Sequence, residues 1–333
     1  MPVNLDAGDG PPSFLDMITT AGYRAATAGL RLGVFPALAE GPLPAAELAA
    51  RIDADPRGTT LLADVLVSCG YLTADGDRYA NAPMADKWLA GGDYRRVEHF
   101  WSTVLFDSWG ELETSVRSGA AALDFYAWLA ERPETLGRFQ GMLSAHAEHI
   151  APEVAALVPV GRTLLDVGGG HATYPIRLCS GNPSLHATVV DRPEALNAAA
   201  VEAAGVTDRI TLRPGDYDEL DLGSGFDTAL LFNVVHGRTA AANRTLLHRV
   251  AAALRPGGAV VLLEHQEHPA DPVDDAFTRV FSLNLFHGQC GQVYPAHDIA
   301  AWLLDAGFGE PEIHPLESSP AQSVLIARLG GTR

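Results

Sequence analysis

Apolar residues recur at helical spacing from Phe14 to Leu38, and this Ala-rich stretch predicts a long first helix. Two shorter helices follow, "PAAELAARI" behind a proline start and "PRGTTLLADVLVSCG" closed by Gly70. "YLTADGDRYANA" then predicts two short strands about an Asp-Gly turn. Helical spacing returns from Glu98 to about Val158, rich in aromatics that include Trp101, Phe106 and Trp109. Beyond Pro159-Val-Gly161 the pattern changes again. Short apolar runs, "TLLDVG", "HATVVD", "ITLRPGD", "FDTALLFNVV" and "AVVLLEHQ", alternate with helical stretches, which predicts a mostly parallel sheet with helices on both faces.

The opening order of helix, helix, helix, hairpin is a winged-helix pattern. The chain therefore divides into a mainly α winged-helix domain over 1–97, a helical connector over 98–158 and an α/β domain over 159–333. Its 333 residues exceed the usual size of one core, in keeping with more than one domain. A winged helix commonly reads DNA, but DNA affinity needs cations facing phosphates. The net charge is −18, and residues 1–100 hold 8 Lys/Arg against 13 Asp/Glu. The would-be recognition helix carries one arginine and one aspartate, so nucleic acid and anionic membrane surfaces are poor partners. Cys69, Cys179 and Cys290 are far apart and odd in number, which suits a reducing compartment without a disulfide framework. With no signal-like N-terminus and no long apolar span, a cytoplasmic protein is expected.

The chemistry centres on "TLLDVGGGHATYPIRL", Thr163 to Leu178, where an apolar run ends in an acid and three glycines follow. At a strand-to-helix turn, bare backbone lets a ligand approach closely, and the helix start offers free N–H groups. A phosphate-binding loop would need Gly-Lys-Ser/Thr where His171-Ala172-Thr173 stands, and that reading fails. The dinucleotide fingerprint needs a third glycine where Thr173 stands. Asp191 ends the second strand, placed to accept from a ribose diol. Gly215-Asp216-Tyr217 follows the third strand, suited to an adenine amino group, and Leu254-Arg-Pro-Gly-Gly258 turns a helix into the fifth.

Asp166-Val-Gly168-Gly169-Gly170-His-Ala172, Asp191, Gly215-Asp216 and Leu254 to Gly258, in this order, resemble class I S-adenosylmethionine-dependent methyltransferases. With the winged helix and connector, residues 14–330 look like plant-type small-molecule O-methyltransferases and their bacterial relatives. The resemblance implies a Rossmann-like catalytic domain, S-adenosylmethionine as cofactor, and a homodimer formed through the N-terminal domain. That family places its catalytic histidine after the fourth strand and an orienting glutamate near the end of the fifth. His236 in "LLFNVVHGRTAAAN" and Glu264 in "VVLLEHQ" match. A histidine suits the removal of a hydroxyl proton, and a carboxylate that fixes its tautomer helps. Asn233 is a candidate for cofactor or substrate bonding and equally a strand-end cap.

Two departures stand out. The family's Asp-Trp after the histidine is Gly237-Arg238 here, removing an expected aromatic wall near the adenine, and its second glutamate aligns with Val293. The acceptor pocket is expected between two walls: Trp101, Phe106, Met142 and His146 on one side, Phe281, Asn284 and His287 on the other. Core packing is an equal reading for several of them. "EHQEH" and "FHGQC" lack metal-ligand spacing and read as metal-free histidines. The expected function is O-methylation of a hydroxyl on a small aromatic or polyketide-like compound. The alternatives are a relative that uses the same cofactor for decarboxylation, hydroxylation or cyclisation, or N- or C-methylation. A nicotinamide oxidoreductase fails at Thr173 and leaves the "LRPGG" turn unexplained.

Overall fold

The structure, a computed structural model, describes residues 12–91 and 94–330 and separates into two compact units, Met1–Ser108 and Trp109–Arg333. In the first unit, helix α1 (Pro12–Leu32) stops at Gly33, whose φ of 85° is left-handed, and α2 (Val34–Ala37) restarts beyond it. The single helix expected over Phe14–Leu38 is thus two, because glycine adopts that conformation without a Cβ penalty. Strand β1 (Leu43–Pro44), α3 (Ala45–Arg51), α4 (Pro56–Ser68), β2 (Leu72–Asp75) and β3 (Arg78–Asn81) complete a winged helix, with sheet order β1-β3-β2. Asp55 caps α4 by accepting the Gly58 N–H at 2.7 Å. Leu30, Phe35, Leu48 and Leu66 are buried at its centre. Helices α5 (Pro83–Trp88) and α6 (Tyr94–Asp107) follow.

The second unit opens with α7 (Leu112–Ser118), α8 (Phe125–Ala130) and the long α9 (Pro133–Leu157). It then alternates β4 (Thr163–Val167), α10 (Thr173–Gly181), β5 (His186–Asp191), α11 (Ala198–Ala203), β6 (Ile210–Pro214), β7 (Phe226–Phe232), α12 (Ala240–Ala253) and β8 (Leu254–His265). Helices α13 (Pro272–Gln289) and α14 (Ala296–Asp305) precede two strands outside the five expected runs, β9 (Glu312–Pro315) and β10 (Gln322–Arg328). The seven-stranded sheet has the order β6-β5-β4-β7-β8-β10-β9. Strands β4 to β8 are parallel, while β10 pairs antiparallel with β8 and β9. Both faces are covered, α9 and α10 packing on one through Ile150, Val154 and Leu178, and α12 and α14 on the other through Leu246, Ile299 and Trp302. This explains the aliphatic strands without polar alternation. Winding reverses between β4 and β7, and a ligand crevice belongs at the carboxyl ends of such a pair.

Candidate active site

Three turns at the carboxyl edge hold the candidate cofactor residues. After β4, Gly168 has a φ of 74°, and a Cβ there would meet Val234 Cγ2 at 2.7 Å. A Cβ on Gly169 would fall 2.2 Å from Asp166 Oδ2, so neither position accepts a larger residue without displacement. Gly170 donates its N–H to Asp191 Oδ2 at 2.8 Å, tying the loop to the end of β5, and the Arg192 N–H reaches Asp191 Oδ1 at 2.7 Å. Each oxygen keeps a lone pair for a ligand hydroxyl. Asp166 is buried with Oδ2 unpartnered, and burial, reinforced by Asp191, pushes its pKa up to about 8. The nearby Tyr174 hydroxyl is also buried without a partner. An orphaned acid beside a glycine cradle fits the cationic methionyl end of S-adenosylmethionine.

After β6, Gly215 donates its N–H to the Asp191 carbonyl at 2.9 Å, while Asp216 Oδ1 accepts the Asp218 N–H at 2.8 Å and shapes the turn. Tyr217 follows. The Arg238 guanidinium lies 5.3 Å from its ring centroid and is held on Asp218 by two bonds of 2.7 and 2.6 Å. Where the family's tryptophan was expected, a planar cation on a tyrosine stands instead. Gly237 also has a local cause, since a Cβ there would meet the Gln289 carboxamide at 2.6 Å.

The candidate base sits in a tight turn after β7. Asn233 takes a φ of 58°, then Val235–Gly237 forms a 3-10 turn before Thr239 caps α12. Parallel pairing of Phe232 with Leu263 brings this turn beside the end of β8. There Glu264, buried, accepts the Val235 N–H on Oε1 at 2.7 Å and pairs its Oε2 with His236 Nδ1 at 2.6 Å. The carboxylate fixes the proton on Nδ1 and leaves Nε2 bare. Val293 is buried, its N–H donating to Ser282 Oγ at 3.1 Å, so Glu264 is the carboxylate paired with this imidazole among the described residues.

Phe281 lies 5.3 Å from the His236 ring and 5.9 Å from Phe277, nearly parallel to it at 7°. Met142 and His146 lie one turn apart on α9, and His146 Nε2 is 2.7 Å from Gln322 Oε1, whose amide in turn donates to Asn233 Oδ1 at 3.2 Å. Asn284 and His287 are both buried and engaged within the fold. Asn284 accepts the Trp109 indole N–H at 2.9 Å, and His287 Nδ1 bonds Ser115 Oγ at 2.7 Å. In the first unit Trp101 packs edge-on to Phe100 at 5.5 Å, and Phe106 stacks on Tyr23 at 5.8 Å. Sequence reasoning missed Gln322, although a glutamine opening the aliphatic run "QSVLIAR" was a signal. It also passed over His265, read only as part of a cluster without metal spacing.

Known proteins resemble this chain along most of its length. Residues 129–309 match the O-methyltransferase domain and residues 23–91 the O-methyltransferase dimerisation domain. The chain is 30% identical over 318 residues to the 3-hydroxy-5-methyl-1-naphthoate 3-O-methyltransferase of Streptomyces sahachiroi, covering 90% of this chain and 89% of that one. The mitomycin 7-O-methyltransferase structure superposes with a TM-score of 0.81 at 25% identity, over 95% of this chain and 97% of that one. Human N-acetylserotonin methyltransferase, solved in complex with S-adenosylmethionine, shares the fold with a TM-score of 0.74 at 24% identity, over 97% and 99% of the two chains.

Proposed function

This chain belongs to the S-adenosylmethionine-dependent O-methyltransferase family, and on that premise we propose that it methylates an aromatic hydroxyl with His236 as general base. The observation that carries the reading is the 2.6 Å pair of His236 Nδ1 with Glu264 at the carboxyl edge, beside the glycine turn. S-adenosylmethionine, when bound, supplies the electrophilic methyl group. Asp166, Gly168, Gly169, Gly170 and Asp191 would hold its methionyl and ribose parts, with Gly215, Asp216, Tyr217 and Asn233 completing the cofactor side. His236 Nε2 takes the hydroxyl proton, and Glu264 steadies the imidazolium so formed. Alignment of the acceptor supplies much of the remaining rate.

Met142, His146 and Phe281, all in the second unit, are assigned to the acceptor side. The naphthoate O-methylation of the Streptomyces relative supports an aromatic acceptor. The dimerisation domain supports a homodimer, and three free thiols suit a cytoplasmic setting. No helix among the described residues is long and apolar enough to cross a membrane. The deciding experiment is His236→Ala in the full chain. Turnover of an aromatic hydroxyl acceptor is expected to fall about 10²- to 10⁴-fold, with adenosylhomocysteine affinity kept in calorimetry. Undiminished turnover would leave alignment as the whole of the catalysis and remove His236 from the mechanism.

A further inference from the structure

His265, the last residue of β8, has no part in the mechanism above. Its ring centroid lies 6.0 Å from that of His236 and 4.9 Å from that of Phe281. The residue is half-buried, its Nδ1 is closed off from solvent without a partner, and its ring makes no hydrogen bond among the described residues. Its cross-strand neighbour Gln322 is already engaged by His146, Ser319 and Asn233. Burial, with His236 and His146 near, pushes the His265 pKa down to about 3, so the ring stays neutral. An apolar side chain would stand here without an unpaired nitrogen, and the preceding Leu262 and Leu263 are apolar.

The two imidazoles have opposite hydrogen-bonding sense. Glu264 holds the His236 proton on Nδ1 and leaves Nε2 to accept. His265 has no acceptor at Nδ1, and an orphaned N–H is the rarer fault, so its proton belongs on Nε2, the nitrogen left open. One ring accepts, its neighbour donates, and both border Phe281.

We propose that His265 is the acceptor-specificity residue: it donates a hydrogen bond to an uncharged oxygen next to the hydroxyl that His236 deprotonates, so the acceptor class is a planar arene with two neighbouring oxygen functions. This rests on His236 being the base. A carboxylate in the second position would bring a negative charge into a site that already holds Glu264 and offers only a neutral ring in return.

The test compares two isomers, 2,3-dihydroxynaphthalene with adjacent hydroxyls and 2,6-dihydroxynaphthalene with distant ones, on the full-length protein complexed with adenosylhomocysteine. Wild type is expected to bind the 2,3-isomer about 3- to 10-fold more tightly, one net hydrogen bond. In His265→Phe the two affinities should converge, and His265→Gln, which restores a donor, should recover part of the difference. Adenosylhomocysteine affinity, measured in each variant, reports that the fold is intact. Equal affinities or no binding in wild type, or a difference that survives in His265→Phe, would overturn the proposal. Turnover by His236→Ala separates the two ideas. An inactive His236→Ala beside an unaltered His265→Phe sinks only the specificity role, whereas a fully active His236→Ala removes the base reading on which it rests.

Discussion

At the scale of single residues, Asp166 offers the sharpest test of cofactor binding. Burial makes its carboxyl hold a proton up to about pH 8. The fold therefore binds this proton more tightly than the unfolded chain does. Its contribution to stability is complete below the ordinary carboxylate range and is lost as the pH rises through about 8. A ligand ammonium group placed beside it reverses the preference by favouring the ionised form. Binding of adenosylhomocysteine at pH 7 should thus release close to one proton, read by calorimetry in two buffers of different ionisation enthalpy. Asp166→Asn should remove the release and weaken binding about 10-fold or more. Proton-neutral binding in wild type would place the cation elsewhere. Asp166 and the glycines were legible as candidates in the sequence because their spacing is local. His146 was legible as a candidate, but its partner Gln322 lies 176 positions away, and pairing at that range is set by the sheet.

Among the elements, those whose signals are local matched the expected pattern. Five aliphatic runs became the parallel strands, and the Asp-Gly pair became the hairpin turn, with Gly76 at a φ of 62°. The break at Gly33 was hidden because apolar spacing continues across it, so periodicity reported one helix where a left-handed residue makes two. Asn284 and His287 carry the same lesson on α13. Spacing identifies a helix, but Trp109 and Ser115, which engage them, come from far earlier in the chain. Capping is more predictable. Asp55→Ala removes the bond to the Gly58 N–H at the start of α4 and should cost about 1 kcal/mol. Thermal denaturation followed by circular dichroism would register this as a fall in Tm of a few degrees, and an unchanged Tm would mean the cap is replaced by water.

For the whole molecule, charge and apolar surface point in different directions. A net charge of −18 favours solubility. Yet the first unit exposes Met17, Leu61, Val65, Met84 and Trp88, large side chains that a solitary winged helix would expose at some cost. Most of them fall within residues 23–91, which match the O-methyltransferase dimerisation domain. Light scattering after size exclusion should therefore report twice the 35.2 kDa chain mass. Met84→Glu with Trp88→Glu should shift it toward a single chain, because burying two unpaired carboxylates is unfavourable. A double variant that remains dimeric would put the contact on another face.

The close packing behind His236 has an evolutionary consequence. A Cβ on Gly291 would fall 2.0 Å from the His236 carbonyl oxygen, as unforgiving as the spacing between Gly169 and Asp166. Almost any codon change at these glycines should be purged. Phe277 and Phe281 are carried instead on a helix face, and Met142 on another, where ring size and polarity can vary without moving the main chain. Variants of this chain would diversify their chemistry through those side chains while the turns stay fixed. A combinatorial library aimed at new acceptors should randomise these three positions and His265 and leave the glycines untouched.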